Sequence, residues 1–206
     1  MTLEKFYDGI LEKAVNSPSY AANGWGSRRS AHRRYLMAIT QLNVAKGHSL
    51  LDWGCGNGDL FWFLNDLGID VHYLGVDIVP KMVELALANN VVAVKRDLLL
   101  DPPREAEFDH IICIGTVGAI EGTVKERWDV VEQMISVGMN GSLKGMALTF
   151  LTDRDGQHED DGFHWFVPFA ECLSTMSKLV ANKYGLKVCA DYHPHDVMFI
   201  ITHDPY

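Results

Sequence analysis

From residue 48 onward, short apolar runs alternate with stretches whose apolar residues recur at helical spacing. That alternation is the pattern of a parallel sheet with crossover helices. Strands are predicted at HSLLDWG (48–54), VHYLGVDI (71–78), VVAVKRD (91–97), FDHIICIG (108–115), GMALTFLT (145–152), KVCADY (187–192) and VMFIITH (197–203). Helices are expected near 58–67, 80–89, 124–139 and 168–183, where Pro80 and Pro168 suit first turns and Gly68 and Gly185 suit the stops. No helical pattern separates the last two strands, so they are expected to pair antiparallel through the short HPHD connection. Residues 1–46 read as two helices joined by the NSPSYAANGWGS loop, lying over the sheet as a cap. The expected organisation is a single α/β domain over 1–206, with a helical cap at 1–46 and the core at 47–206.

Composition fits this picture, because 206 residues with 48% hydrophobic content suffice for one sizeable core. No run of about 18 uncharged apolar residues occurs, and the opening MTLEKFYDGILEKA carries charges where a signal peptide needs its apolar centre. A soluble, cytoplasmic protein is therefore expected. Cys55, Cys113, Cys172 and Cys189 form no C-x-x-C pair, which suggests neither a disulfide framework nor a zinc ribbon. The net charge of −9 speaks against an extended nucleic-acid footprint. That charge is uneven: residues 1–46 carry a surplus of four positive charges and the remainder carries −13. A local anion site near the N-terminus stays open.

The densest chemical signal is SLLDWGCGNGDL at 49–60, where Gly54, Gly56 and Gly58 crowd into a turn from a buried strand to a helix. Glycines at such a turn let a ligand approach backbone N–H groups without a Cβ in the way, which points to a nucleotide-like ligand. The third glycine arrives one residue too early for the dinucleotide pattern G-x-G-x-x-G, and Asp59 stands in its place. Asp52 puts a carboxylate beside the loop, where a pyrophosphate would be repelled and an ammonium group welcomed. Asp77 closes the second strand, where a carboxylate can accept from both ribose hydroxyls. Asp97 closes the third and could accept from an adenine amine; either acid alone could equally cap a helix.

Taken together, D-x-G-C-G-x-G at 52–58, G-V-D-I at 75–78, R-D-L at 96–98 and F-D-H-I-I-C-I-G at 108–115 resemble the motif series of class I S-adenosylmethionine-dependent methyltransferases. The similarity spans about residues 48–203. It implies a Rossmann-like three-layer sandwich whose seven-stranded, mostly parallel sheet has order 3-2-1-4-5-7-6 with strand 7 antiparallel. It also implies S-adenosyl-L-methionine as cofactor. Carried over by position, Asp52, Gly54, Cys55, Gly56 and Gly58 would hold the methionine part, Asp77 the ribose and Ile78 an adenine face. Asp97 with the Leu98 backbone would hold the adenine edge, and Gly115 and Thr116 would line the cofactor below the sulfonium. A narrower resemblance, to small type 11/12-like methyltransferases, lies in GWGSRRSAHRRY (24–35) and DYHPHDVMFII (191–201). In related small-molecule methyltransferases an arginine before the first strand pairs with the cofactor carboxylate, and Arg34 fits that position, with Arg33 second.

Ligands of open parallel sheets bind outside the carboxyl ends of the strands. The acceptor is therefore expected between residues 20–34, a lid at 153–167 and the hairpin at 192–196, with the Phe163–Phe166 run excluding water. His195 is the first candidate for general base, with His193 and Tyr192 beside it. His158, Asp160 and His164 complete a cluster of possible metal ligands, but no His pair sits at i, i+4 on a helix, and no metal is expected. No [DNS]-P-P-[YFW] stretch follows strand 4, which disfavours amino-methylating DNA and glutamine enzymes. The reading is a methyltransferase acting on a small molecule or a small exposed group of a larger one. Two alternatives are an NAD-dependent oxidoreductase and a non-catalytic cofactor-binding module on the same fold.

Overall fold

The computed structural model describes residues 19–154 and 164–203. The first expected cap helix and the centre of the expected lid lie outside them. A short helix α1 (Ser19–Ala22) falls inside the stretch read as a loop, and α2 (Arg28–Gln41) follows. Ser27 starts α2, its Oγ accepting from the Ser30 N–H at 3.1 Å. Ala31, Tyr35, Ala38 and Ile39 then recur at the spacing that buries one helix face.

The core runs β1 (Ser49–Trp53), α3 (Asp59–Asp66), β2 (His72–Asp77), α4 (Pro80–Ala88), β3 (Ala93–Lys95) and β4 (Phe108–Cys113). A 3₁₀ turn (Val117–Ala119), α5 (Val124–Gly141) and β5 (Ser142–Asp153) come next. The chain then forms β6 (Phe166–Pro168), α6 (Phe169–Val180), β7 (Gly185–Cys189) and β8 (Asp196–Thr202). Pro80 occupies the first turn of α4, and a Thr123–Glu126 capping box starts α5.

The sheet order is β3-β2-β1-β4-β5-β8-β7, all parallel except β8, which is antiparallel to both neighbours. This is the order and the single reversal that the motif resemblance implies. One strand was not anticipated: β6, which pairs parallel with the end of β5, Leu151 against Phe166. Its three residues are too few to show a period, and they fall in a stretch that reads as loop. Because β8 already pairs with Leu151 through Asp196, β6 lies on the β4 side, beyond the point where β4 stops. Phe166, Leu151 and Asp196 thereby form one row across the mouth of the sheet.

Alternation along the strands sends side chains to two cores. Leu50, Ile112, Ala147, Met198 and Ile200 meet α2, α3 and α4 on one face. Leu51, Ile111, Leu148, Phe150 and Phe199 meet α5 and α6 on the other. Full burial of each such side chain contributes roughly 1.5–3 kcal/mol. All four cysteines are free and buried, and burial pushes Cys113 up to about 12, which keeps it an unreactive thiol. Among the described residues no helix is long and apolar enough to cross a membrane.

Candidate active site

The carboxyl ends of the strands and the cap enclose a cavity of about 810 Å³, within the range of small-ligand sites. Arg34, Asp52, Gly54, Cys55, Gly56, Asp77, Ile78, Asp97, Gly115, Thr116 and His193 all line it. Gly58, Leu98, Tyr192 and His195 do not. The cap (residues 23–35), His164 and Phe166 of the expected lid, and His193 and Asp196 of the hairpin meet at this one cavity.

The glycine loop is built differently from the expectation of open amides. The Gly54 and Cys55 N–H groups donate to Val76 O at 2.7 and 3.0 Å, tying the loop to β2. Gly56 N–H donates to Asp77 Oδ2 (2.9 Å), Asn57 N–H to Asn23 Oδ1 (3.0 Å) and Gly58 N–H to Cys55 O (3.0 Å). Every amide from Gly54 to Gly58 is thus satisfied within the protein, and the loop is no phosphate cradle. The glycines make room for other side chains instead. A Cβ at Gly54 would lie 2.2 Å from Thr116 Oγ1, one at Gly56 2.2 Å from Asn23 Oδ1, and one at Gly58 2.6 Å from Val91. All three also have positive φ, where an L side chain is strained.

What the loop presents to the cavity is carboxylate. Asp52 is buried and accepts from Tyr73 Oη at 2.5 Å; desolvation and the nearby Asp77 push it up to about 7 despite that hydrogen bond. Asp77 accepts from the Gly56 and Val79 amides, each at 2.9 Å, and burial still raises its pKa. A carboxylate has about four lone-pair sites, so Asp77 retains acceptor capacity for a ligand. Asp97 is exposed; its Oδ1 accepts from Leu99 N–H at 2.9 Å, and it borders the cavity. Leu98 is turned into the core on the α5 and α6 face and does not reach the cavity.

Under the cap lies a polar group joining α2 to the β7–β8 connection. Arg34 Nε donates to Asp196 Oδ2 at 2.5 Å, and Nη1 donates to Ser30 Oγ and O at 2.6 and 3.0 Å. Tyr192 Oη donates to Asp196 Oδ1. Burial raises Asp196, opposed first by Arg34. His193 Nδ1 faces Arg34 Nη2 at 3.5 Å and accepts from His195 N–H at 3.3 Å, while Nε2 lies 3.3 Å from Ser30 Oγ. Two donors at Nδ1 favour the Nε2–H tautomer. Desolvation first, then the Arg34 charge, brings His193 down to about 4, so it is neutral near pH 7. Burial and Asp196 raise the Tyr192 hydroxyl well above its ordinary range. Arg154 bonds the carbonyls of Ala190 and Asp196, fixing this connection to the end of β5.

The aromatic lid divides by strand alternation. Phe166 and His164 line the cavity, whereas Trp165 is buried in the other core, edge-on to Trp128 at 5.1 Å and under the Arg127 guanidinium. Phe163, His158 and Asp160 lie outside the described residues. Sequence reasoning assigns no individual role to Asn23 or to Trp25, although Trp25 falls in the GWGSRRSAHRRY segment that carries the narrower resemblance. The N-G-W-G cluster there was the signal available.

Comparison with known proteins agrees with this geometry. Residues 50–138 match the family described as a methyltransferase domain. The methyltransferase-named protein Rv1506c of Mycobacterium tuberculosis is 26% identical over 152 residues, 70% of this chain and 92% of that protein. Magnesium protoporphyrin IX methyltransferase from Synechocystis PCC 6803, crystallised with bound SAH, superposes with a TM-score of 0.68 at 12% identity over 98% of this chain and 96% of its own. A TehB-like SAM-dependent methyltransferase from Corynebacterium glutamicum superposes with a TM-score of 0.60 at 19% identity, covering 97% and 99% of the two chains. The sheet order and these superpositions give this chain the Rossmann-like fold of S-adenosylmethionine-dependent methyltransferases, and residues 50–138 carry the match to a methyltransferase domain.

Proposed function

We propose that the protein binds S-adenosyl-L-methionine in this cavity and transfers its methyl group to a small acceptor. One observation carries the reading: the glycine loop has spent its amides internally and faces the cavity with Asp52 and Asp77. Such a surface suits a cationic ligand with ribose hydroxyls and disfavours the pyrophosphate of a dinucleotide. Asp77 would take the ribose, Ile78 and Asp97 the adenine, and Gly115 and Thr116 the sulfonium region. The cofactor supplies an electrophilic methyl carbon, so much of the barrier can be lowered by alignment. The protein's part is to fix both reactants and keep water out.

The acceptor would enter beside the row Phe166–Leu151–Asp196, under the cap. Phe166, Leu151 and Ile120 give that region an apolar wall, and Ser30 and His193 give it two polar contacts. His193 rather than His195 borders the cavity, and its neutral Nε2–H faces Ser30 Oγ at 3.3 Å, so the two side chains meet the acceptor as one hydrogen-bonded pair. The chain's acidity supports a compact acceptor over a long polyanion. Two measurements test this. Calorimetry should show binding of S-adenosylmethionine and not of NAD. A screen with isotopically labelled methyl groups, run on fractionated cell extract, should place label in the small-molecule fraction. Label found only in RNA or protein would overturn the small-acceptor assignment, and failure to bind the cofactor would overturn the whole reading.

A further inference from the structure

Two glycines of the cavity wall are filled by the segment that leads into α2. Asn23 occupies the space at Gly56, and the Trp25 ring edge occupies the space at Gly115, where a Cβ would lie 2.7 Å from Cη2. Asn23 is clasped to the glycine loop through both ends of its amide: Oδ1 accepts from Asn57 N–H at 3.0 Å and Nδ2 donates to Asn57 Oδ1 at 2.8 Å. Two residues on, Trp25 therefore stands over Gly115, two positions past the end of β4. The Arg34 guanidinium carbon lies 4.8 Å from its ring centroid. Asp196 neutralises that guanidinium at 2.5 Å, so the ring is fixed beside a paired charge and remains electron-rich toward a second cation.

Resting on the cofactor reading above, we propose that Trp25 contacts the sulfonium of S-adenosylmethionine and that the Asn23–Asn57 clasp holds it there. The aromatic π system attracts a ligand cation within about 6 Å of its centroid, and this attraction disappears when methyl transfer leaves a neutral thioether. The cap would then favour the charged cofactor over the demethylated product, which helps product leave.

The test is calorimetry on the full chain with three ligands: S-adenosylmethionine, S-adenosylhomocysteine and 5′-methylthioadenosine. Trp25→Leu should weaken S-adenosylmethionine about 10-fold while changing the two neutral thioethers by no more than about threefold. Trp25→Phe should keep most of the preference, and Asn23→Ala should lose part of it. Circular dichroism identifies a variant that fails to fold, and Trp25→Phe then carries the comparison. Equal losses for all three ligands in folded Trp25→Leu would assign Trp25 a structural role only and overturn the proposal; unchanged affinities would do the same. If the wild-type chain binds none of the three, the cofactor reading itself fails. If it binds all three and Trp25→Leu leaves their ratio intact, only this inference fails.

Discussion

Arg34 on α2 donates to Asp196, the first residue of β8, across 2.5 Å, with side-chain exposures of 4% and 3%. This buried pair joins the cap to the far half of the sheet. Tyr192, Ser30 and His193 complete its hydrogen bonding.

Removing one partner of such a pair leaves the other charge stranded. Arg34→Met should therefore destabilise the fold by about 3 kcal/mol or more, measured by chemical denaturation. Arg34→Met combined with Asp196→Leu should recover most of that loss. In this double variant S-adenosylmethionine should bind more weakly than to wild type, while 5′-methylthioadenosine, which lacks the carboxylate, should bind as before. Equal losses for both ligands would count against a carboxylate-holding role for Arg34.

Asp77 serves the loop and, in the proposed function, the ribose. Its replacement by alanine should weaken S-adenosylhomocysteine by about 2 kcal/mol or more, through lost charge-assisted hydrogen bonds. Calorimetry reads this directly, and an unchanged affinity would remove Asp77 from the site. The orphaned Gly56 and Val79 amides should add a small stability loss, visible as a lower melting temperature.

Asp52 makes cofactor binding depend on pH. Burial holds it near 7, so below that pH the ligand-free protein carries it largely protonated. A cationic ligand prefers the carboxylate, so affinity for S-adenosylmethionine should rise with pH from 5.5 to about 7, by up to about tenfold per unit, and then level off. Binding of 5′-methylthioadenosine should stay nearly flat over the same range. Asp52→Asn should abolish the slope, and a slope that survives it would have to come from another group.

Gly56→Ala probes what the glycine is for. The new Cβ would collide with Asn23 Oδ1 at 2.2 Å, so S-adenosylhomocysteine binding should fall sharply through displacement of the cap. Adding Asn23→Ala removes the colliding atoms and should restore binding to within about threefold of Asn23→Ala alone, apart from the strain of a positive φ. Binding that stays lost in the double variant would show instead that the ligand itself needs the space.

How much of this was legible from sequence follows the range of each interaction. Strand alternation, the helix signals at Pro80 and Gly68, and the acids closing β1, β2 and β3 are local, and they determined the α/β class and three of the cavity's carboxylates. The absence of a helical pattern before VMFIITH determined the antiparallel last pair. Residues 1–18 and 155–163, with parts of the cap and lid, lie outside the described residues.

Only tertiary structure decided which donors the glycine loop spends and on whom. The residues that fill Gly54, Gly56 and Gly115 are Thr116, Asn23 and Trp25, distant in sequence and brought close by strand order and by the seating of α2. The same holds for the Arg34–Asp196 pair, 162 residues apart, and for β6, whose three residues find a partner only because β4 ends early beside β5. Periodicity reports which face of an element is buried; it carries no information on which remote side chain comes to rest against that face. The sequence alone therefore determined the scaffold and its acidic edge, and packing between distant segments decided what the site can hold.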